Sequence, residues 1–256
     1  MQGEPASDNT RPTASNRARP IEVPDARHWA ALSGVIIAGL TVIEALVRIT
    51  MGIRPALDDD AGLIDFMERT NRSSLVVVLI DCVLMTTLVL YLACLRRILS
   101  EGRPDVSWLA DLVFGTGLVF VAVTLVGDSM EAGIALDAVG GGSDPSVMRA
   151  LTEGHILMFG SAGSLLTILL VEIAARIIRI TGVLPPWTAN FAHVVAALNL
   201  LAEPTLFAST NSGSLLAPGG AGVAFFAVFP FLLWFTAVGI TAQRMGTATE
   251  PVAEPA

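Results

Sequence analysis

The chain has 256 residues, 53% of them hydrophobic and only 15% charged, with a net charge of −8. A soluble domain carries about a quarter charged residues, so this composition excludes an ordinary soluble globular protein. The acidic balance excludes a nucleic-acid partner, which would require a basic face.

Residues 1–28 hold four prolines and scattered charge, and are expected to form a disordered cytoplasmic arm. No apolar core with a small-residue cleavage site follows the basic start, so the first apolar stretch is expected to act as an uncleaved signal anchor. Crossing the ~30 Å hydrocarbon core takes about 20 mostly apolar residues. Stretches of that kind fall at roughly 30–52, 74–95, 107–128, 152–175, 188–208 and 219–242. The expected fold is therefore all-α: a polytopic membrane bundle of six transmembrane helices filling residues 29–244, with a disordered cytoplasmic tail at 245–256.

Between the first two spans, Asp58, Asp59 and Asp60 precede LIDFMER, where Leu63, Ile64, Phe66 and Met67 suggest a short helix lying on the membrane surface. Cys82 and Cys94, twelve residues apart on the second span, would lie about 18 Å apart on a helix, too far for a disulfide; both are expected to be packed thiols. Gly140 to Pro145 read as a turn-rich connector, and the fifth loop, STNSGSLLAPGG, has no charge. Gly115, Gly117, Gly160, Ser161, Gly163 and Ser164 offer small faces for close helix approach. Pro230 should kink the sixth span. Three of Trp29, Trp108, Trp187 and Trp234 fall at span ends, as in an interfacial belt.

Arginine placement gives an orientation. Ten arginines (11, 17, 19, 27, 96, 97, 103, 176, 179 and 244) flank one side, and four (54, 69, 72 and 149) flank the other. Both termini are thus expected in the cytoplasm. All fifteen basic residues are arginine, the habit of a GC-rich bacterial genome, so the expected location is a bacterial inner membrane.

A charge at the centre of a membrane helix costs at least ~2.5–3.5 kcal/mol on insertion scales. Threading the spans places Glu44, Arg48, Asp81, Asp128, Glu131, Glu153, His155, Asn199 and Glu203 in the outer half, contributed by five helices. That convergence marks a candidate binding site at Glu44, Arg48, Asp81, Asp128, Glu153, His155, Asn199 and Glu203. Asp81 and Glu203 lie in apolar sequence and should face the bundle interior, a cavity or each other; two carboxylates that meet share a proton near neutral pH. Each residue also has a structural account: Asp128, Glu131 and Glu153 as solvated interfacial acids, His155 as a hydrogen-bonding residue, Asn199 as interhelical glue. Glu44 and Arg48, and Glu172 and Arg176, have the acid-first spacing of a helical ion pair.

The last third carries Pro186, Trp187, Asn199, Leu200, Gly219, Gly220, Leu233 and Trp234 in a cadence that resembles a family of uncharacterised six-span bacterial integral membrane proteins, a domain of unknown function. The resemblance covers some sixty residues; it implies the six-span fold and brings no catalytic residues.

Three functions remain open at this point. An accessory or structural envelope protein, associating through its small-residue face with a second copy or a partner membrane protein, needs the fewest assumptions. An outward-facing acidic pocket would bind or transport a small solute or cation. An intramembrane metal-dependent hydrolase would need three zinc ligands, yet only His155 lies on the outer side, with His193 near the other end and no HExxH motif. No cofactor or metal is expected, and the lipid bilayer is the one partner implied.

Overall fold

The computed structural model describes residues 25–101, 103–141, 144–207 and 221–248. The expected N-terminal arm before Asp25, the uncharged fifth loop with Gly219 and Gly220, and the tail beyond Ala248 lie outside them. Six main helices make up the rest: α1 (Ala26–Met51), α2 (Asp60–Leu99), α3 (Ser107–Gly140), α4 (Pro145–Thr181), α5 (Pro186–Ala202) and α6 (Phe229–Ala248). Five helical stretches are long and apolar enough to cross a membrane: α1, α2, α3 with its leading turn, α4, and Phe225–Thr247. The remaining helix, α5, has 17 residues and is about 26 Å long.

Local chemistry sets most of the boundaries. Asp25, Asp59 and Asp144 accept hydrogen bonds from first-turn amides of α1, α2 and α4, satisfying donors that a helix start leaves free. Gly141 and Gly182 end α3 and α4 in the left-handed region. Pro204 has no amide hydrogen to continue the ladder, and α5 passes into a 3-10 turn at Glu203–Phe207. The disturbance expected from Pro230 takes the form of a π turn at Ala224–Val228, just ahead of α6. The ring of a proline clashes with the carbonyl four residues earlier, here Phe226 inside that turn. A second π turn, Met158–Ala162, interrupts α4.

Three helices run well beyond the expected spans. α2 has 40 residues, α3 34 and α4 37, so they measure about 60, 51 and 55 Å against a hydrocarbon core of ~30 Å. The segment LIDFMER is not a separate surface helix. It forms early turns of α2, and Leu63, Phe66 and Met67 are buried. The overshoot lies at the end where α1 meets α2 and α3 meets α4, called here the acidic end. The opposite, basic end carries the N-termini of α1, α3 and α5, with Arg27, Arg96, Arg97, Arg103, Arg176, Arg179 and Arg244.

Burial therefore divides into two main cores, with a third small cluster at Ala202, Val223 and Ala227. The larger joins all six helices and includes Ile37, Leu88, Tyr91, Leu95, Leu170, Val195, Trp234 and Phe235. The smaller holds the acidic end together through Met51, Phe66, Met67, Val77, Ile134, Ala138 and Met148. Close crossings depend on glycine where no side chain fits. A Cβ on Gly239 would lie 2.6 Å from the Ala30 carbonyl oxygen, and one on Gly34 would lie 3.3 Å from the Thr236 Cα. Beside this α1–α6 crossing, Tyr91 donates to the Phe235 carbonyl at 2.7 Å. Gly117 lies against Leu92, as a small face should, whereas Gly115 and Gly160 face open space. Cys94 is buried, but Cys82 is exposed rather than packed, because it points away from the core face that carries Asp81; both are free thiols. Trp29, Trp108 and Trp187 are exposed at the basic end, and Trp234 is fully buried, its indole N–H donating to the Thr188 carbonyl at 3.0 Å.

Candidate functional site

On each of α1 to α4 a polar segment separates the residues of the two cores. It carries Glu44 and Arg48 on α1, Asp81 on α2, Asp128 and Glu131 on α3, and His155 on α4. Arg54 enters from the α1–α2 loop. Arg48 donates from Nε to Glu44 Oε1 at 2.6 Å, the helical pair expected from their spacing. Its Nη2 stands 3.6 Å from Asp81 Oδ2 and 3.5 Å from Glu131 Oε2. Glu131 is the hub. Its other oxygen lies 3.6 Å from Arg54 Nη2, and His155 Nε2 lies 3.5 Å from Oε2. His155 is held by its other nitrogen, Nδ1, 3.0 Å from the Gly127 carbonyl oxygen. A carbonyl only accepts, so Nδ1 is the protonated nitrogen and Nε2 faces the carboxylate. Gly127 permits this approach: a Cβ there would lie 3.0 Å from the Phe159 ring.

Four carboxyls thus face two guanidiniums and one imidazole, in a place nearly closed to solvent. Asp81 is 3% exposed, Asp128 1% and Glu131 0%. Among the described residues, neither oxygen of Asp128 nor of Glu131 has a hydrogen-bond partner, and Asp81 Oδ2 has none either. Asp128 is within electrostatic reach of Glu131, Arg48 and Glu44, and Asp81 of Glu44, Asp128 and Arg48. Buried ion pairs offset their desolvation only with close geometry and every lone pair satisfied. At 3.5–3.6 Å these contacts give charge compensation without hydrogen bonds, so the cluster keeps unfilled acceptor capacity. In the loop, burial lowers the pKa of the Arg54 guanidinium while Glu131 opposes the shift. Arginine nevertheless stays charged in proteins.

Of the residues expected to form the site, the fold brings Glu44, Arg48, Asp81, Asp128 and His155 together. Glu153 instead faces outward and pairs with Arg149 at 3.0 Å, half-exposed. Asn199 is buried, with its side-chain amide donating to the Val195 carbonyl at 2.9 Å on its own helix. Glu203 stands beside Ser161, at the α4 π turn, and not opposite Asp81. Glu131 belongs to the centre rather than to a solvated helix end. Its three-residue spacing from Asp128 puts both on one helical face, a signal that was available. Arg54 could not be anticipated, because a loop side chain has no periodic register.

Nearer the basic end, Glu172 does not take Arg176 as its partner. It reaches across to α5, where His193 Nδ1 lies 2.9 and 3.0 Å from its two oxygens. The neighbouring contact between the two helices is Arg179 to Asn190, at 2.8 Å. Among the described residues, no group of three or more histidine, cysteine or acidic side chains is placed to hold a metal ion.

Comparison with protein-family models, with curated proteins and with solved structures gives no match. The reading of function therefore rests on this geometry.

Proposed function

We propose that the chain is a six-span protein of a bacterial inner membrane, with both termini cytoplasmic, that binds and releases a proton in the α1–α4 carboxylate cluster. The observation that carries this reading is Asp128: 1% exposed, with both oxygens lacking a hydrogen-bond partner among the described residues, and set beside three further carboxyls. An ionisable side chain at membrane depth is costly and marks an ion or proton site by default. A cluster with more acids than cations takes up positive charge. The π turn that begins three residues beyond His155, at Met158, adds support, since such turns recur at functional sites.

The orientation is favoured by the arginines of the basic end, since cytoplasmic loops carry the excess of basic residues. The acidic cluster then lies in the outer half of the bundle, beneath the smaller core. An accessory role through the small face of α4 has less support, because Ser164 is buried and Gly163 packs against Phe120 inside the bundle. A metal-dependent hydrolase lacks a ligand set among the described residues.

The test is a thermal-unfolding series on the detergent-solubilised full chain across pH and with added monovalent and divalent cations. A group whose proton binding differs between folded and unfolded states makes stability pH-dependent, and a bound cation raises the unfolding midpoint by mass action. The midpoint should move with pH or cation in the wild type, and Asp128→Asn should flatten that response. A wild-type response that Asp128→Asn leaves intact would overturn the assignment.

A further inference from the structure

Toward the basic end, α4 has two unlike sides. Ser164, Thr167, Leu170, Val171, Ala174 and Ile178 are buried in the bundle. The other side is bare: Leu165 is 56% exposed, Leu169 45%, and Arg176 is exposed as well. Leu165, Leu169, Glu172 and Arg176 follow one another at intervals of four, three and four residues. That spacing keeps them on one line along the helix, the seam that one member of a left-handed helix pair presents to the other.

This seam carries charge where lipid offers no partner. Glu172 lies nine residues, about 14 Å, before the end of α4 at Thr181, within a stretch apolar enough to cross a membrane. Its partner His193 is six residues, about 9 Å, along α5 from Trp187. Yet the two side chains are 42% and 40% exposed. Ionisable groups in membrane helices almost always face a bundle interior or a water-filled cavity, because hydrocarbon cannot satisfy them. Helices of the same chain leave this pair half uncovered. Arg176, one turn from Glu172, has no ion-pair partner among the described residues.

We infer that the exposed seam of α4 is a dimer interface, on which a second copy of this chain packs with Arg176 of each copy donating to the partner's Glu172. All copies insert with one orientation, so the two-fold axis runs along the membrane normal and the two α4 helices lie parallel at matched depth. Side chains on a helix lean toward its N-terminus, which brings the Arg176 guanidinium back to the level of residue 172. Glu172 of the same chain already binds His193 at 2.9 and 3.0 Å. A carboxylate has about four lone-pair sites, so it keeps room for a guanidinium from across the axis. The seam is thus its own complement. Two acids and two guanidiniums meet reciprocally, and Leu165 and Leu169 close the apolar part. An unrelated partner would need the same pattern at the same depth, whereas a second copy supplies it by symmetry. The inference is independent of the proton reading of the α1–α4 cluster and rests only on α4 crossing the membrane.

The experiment measures self-association of the full chain in liposomes. In a Cys82→Ser, Cys94→Ser background, Leu169→Cys should cross-link to a dimer on oxidation. Val83→Cys, equally exposed but on α2, should not. Single-molecule subunit counting then gives the strength of association. Arg176→Gln should weaken the dimer about tenfold or more, equivalent to roughly 1.4 kcal/mol, and Arg176→Glu should leave monomers. Mixing the Arg176→Glu chain with a Glu172→Arg chain restores both ion pairs, so the two should associate with each other and neither with itself. Leu169→Cys leaves every charge in place, so its cross-link tests the interface even where a charge variant folds poorly. A wild type that is monomeric in the bilayer would overturn the interface and leave the seam to lipid or another protein. A dimer that cross-links through Val83→Cys and not Leu169→Cys would overturn it as well. A Leu169→Cys dimer whose strength is unchanged by Arg176→Gln and Arg176→Glu would overturn the Arg176–Glu172 contact.

Discussion

At the basic end Arg27 meets Glu101 at 2.6 Å and Arg96 meets Asp111 at 2.5 Å, each pair within reach of water. At the acidic end Arg48 and Arg54 stand 3.5–3.6 Å from carboxylates sealed between two apolar cores. The residue types are the same, but their energetic standing is opposite. Exposed pairs contribute about 0–1 kcal/mol, and losing one partner leaves the other hydrated. Within the cluster a lost partner leaves a buried charge, and apart from the Arg48–Glu44 hydrogen bond the cations stand too far from the carboxylates to hydrogen-bond. Proximity of opposite charges is thus a poor guide to role; burial and satisfied lone pairs decide it. The basic-end pairs contribute little beyond the apolar core beside them, while the acidic end stores unfilled acceptor capacity at a local cost in stability.

Substitutions can press on this contrast. The largest effect is expected from Arg48→Ala, which strips Glu44, Asp81 and Glu131 of a shared cation; breaking a buried pair on one side costs about 3–5 kcal/mol. Unfolding of the detergent-solubilised chain measures it, and a loss no greater than that of an exposed pair would erase the distinction. Asp128→Asn should cost far less. It removes a buried charge but leaves an unpaired amide in its place, so the variant should stay within about 1–3 kcal/mol of wild type while losing its response to pH or cation. A loss as large as that of Arg48→Ala would show that the acid has a structural partner after all. Gly239→Ala tests packing without charge. Its new Cβ would meet the Ala30 carbonyl oxygen at 2.6 Å, and forcing the helices apart should cost about 1–3 kcal/mol. Gly115→Ala, facing open space, is the matched control and should change stability by no more than about 0.5 kcal/mol. Arg96→Ala should also have a small effect: losing the exposed Asp111 contact should cost at most about 1 kcal/mol, and less with added salt.

Some of the site was readable along the chain. Glu44 and Arg48 form the pair their four-residue spacing implies, and apolar flanks on both sides of Asp81 placed it correctly inside the bundle. Glu203 has apolar flanks too, yet it lies beside Ser161 and not opposite Asp81. Depth along a helix is legible from sequence; azimuth relative to other helices is not. Glu172 makes the same point, since an intrahelical partner at Arg176 was available and His193 across the α4–α5 interface won. Leu63, Phe66 and Met67 misled for a related reason: a surface helix and the extramembrane end of a long helix share one amphipathic pattern. Only the partner surface, here the core with Ile134 and Met148, tells them apart.

Composition and hydropathy by themselves determined an all-helical chain with helices long and apolar enough to cross a membrane, because the backbone of a chain in lipid must satisfy its own hydrogen bonds and helices do so locally. They also placed Asp81 inside the bundle from its apolar flanks, but left Asp128 and Glu131 at a solvated helix end where the structure buries both. Tertiary structure alone decided which of those residues meet. It turned Glu131 and Arg54 into the centre of the cluster, sent Glu153 outward to Arg149, and left Asp128 without a hydrogen bond among the described residues. The reason is physical: hydropathy is a sum over single residues, whereas a site is a set of pair distances. Those distances depend on helix order, on rotation about each axis and on glycine-permitted approach.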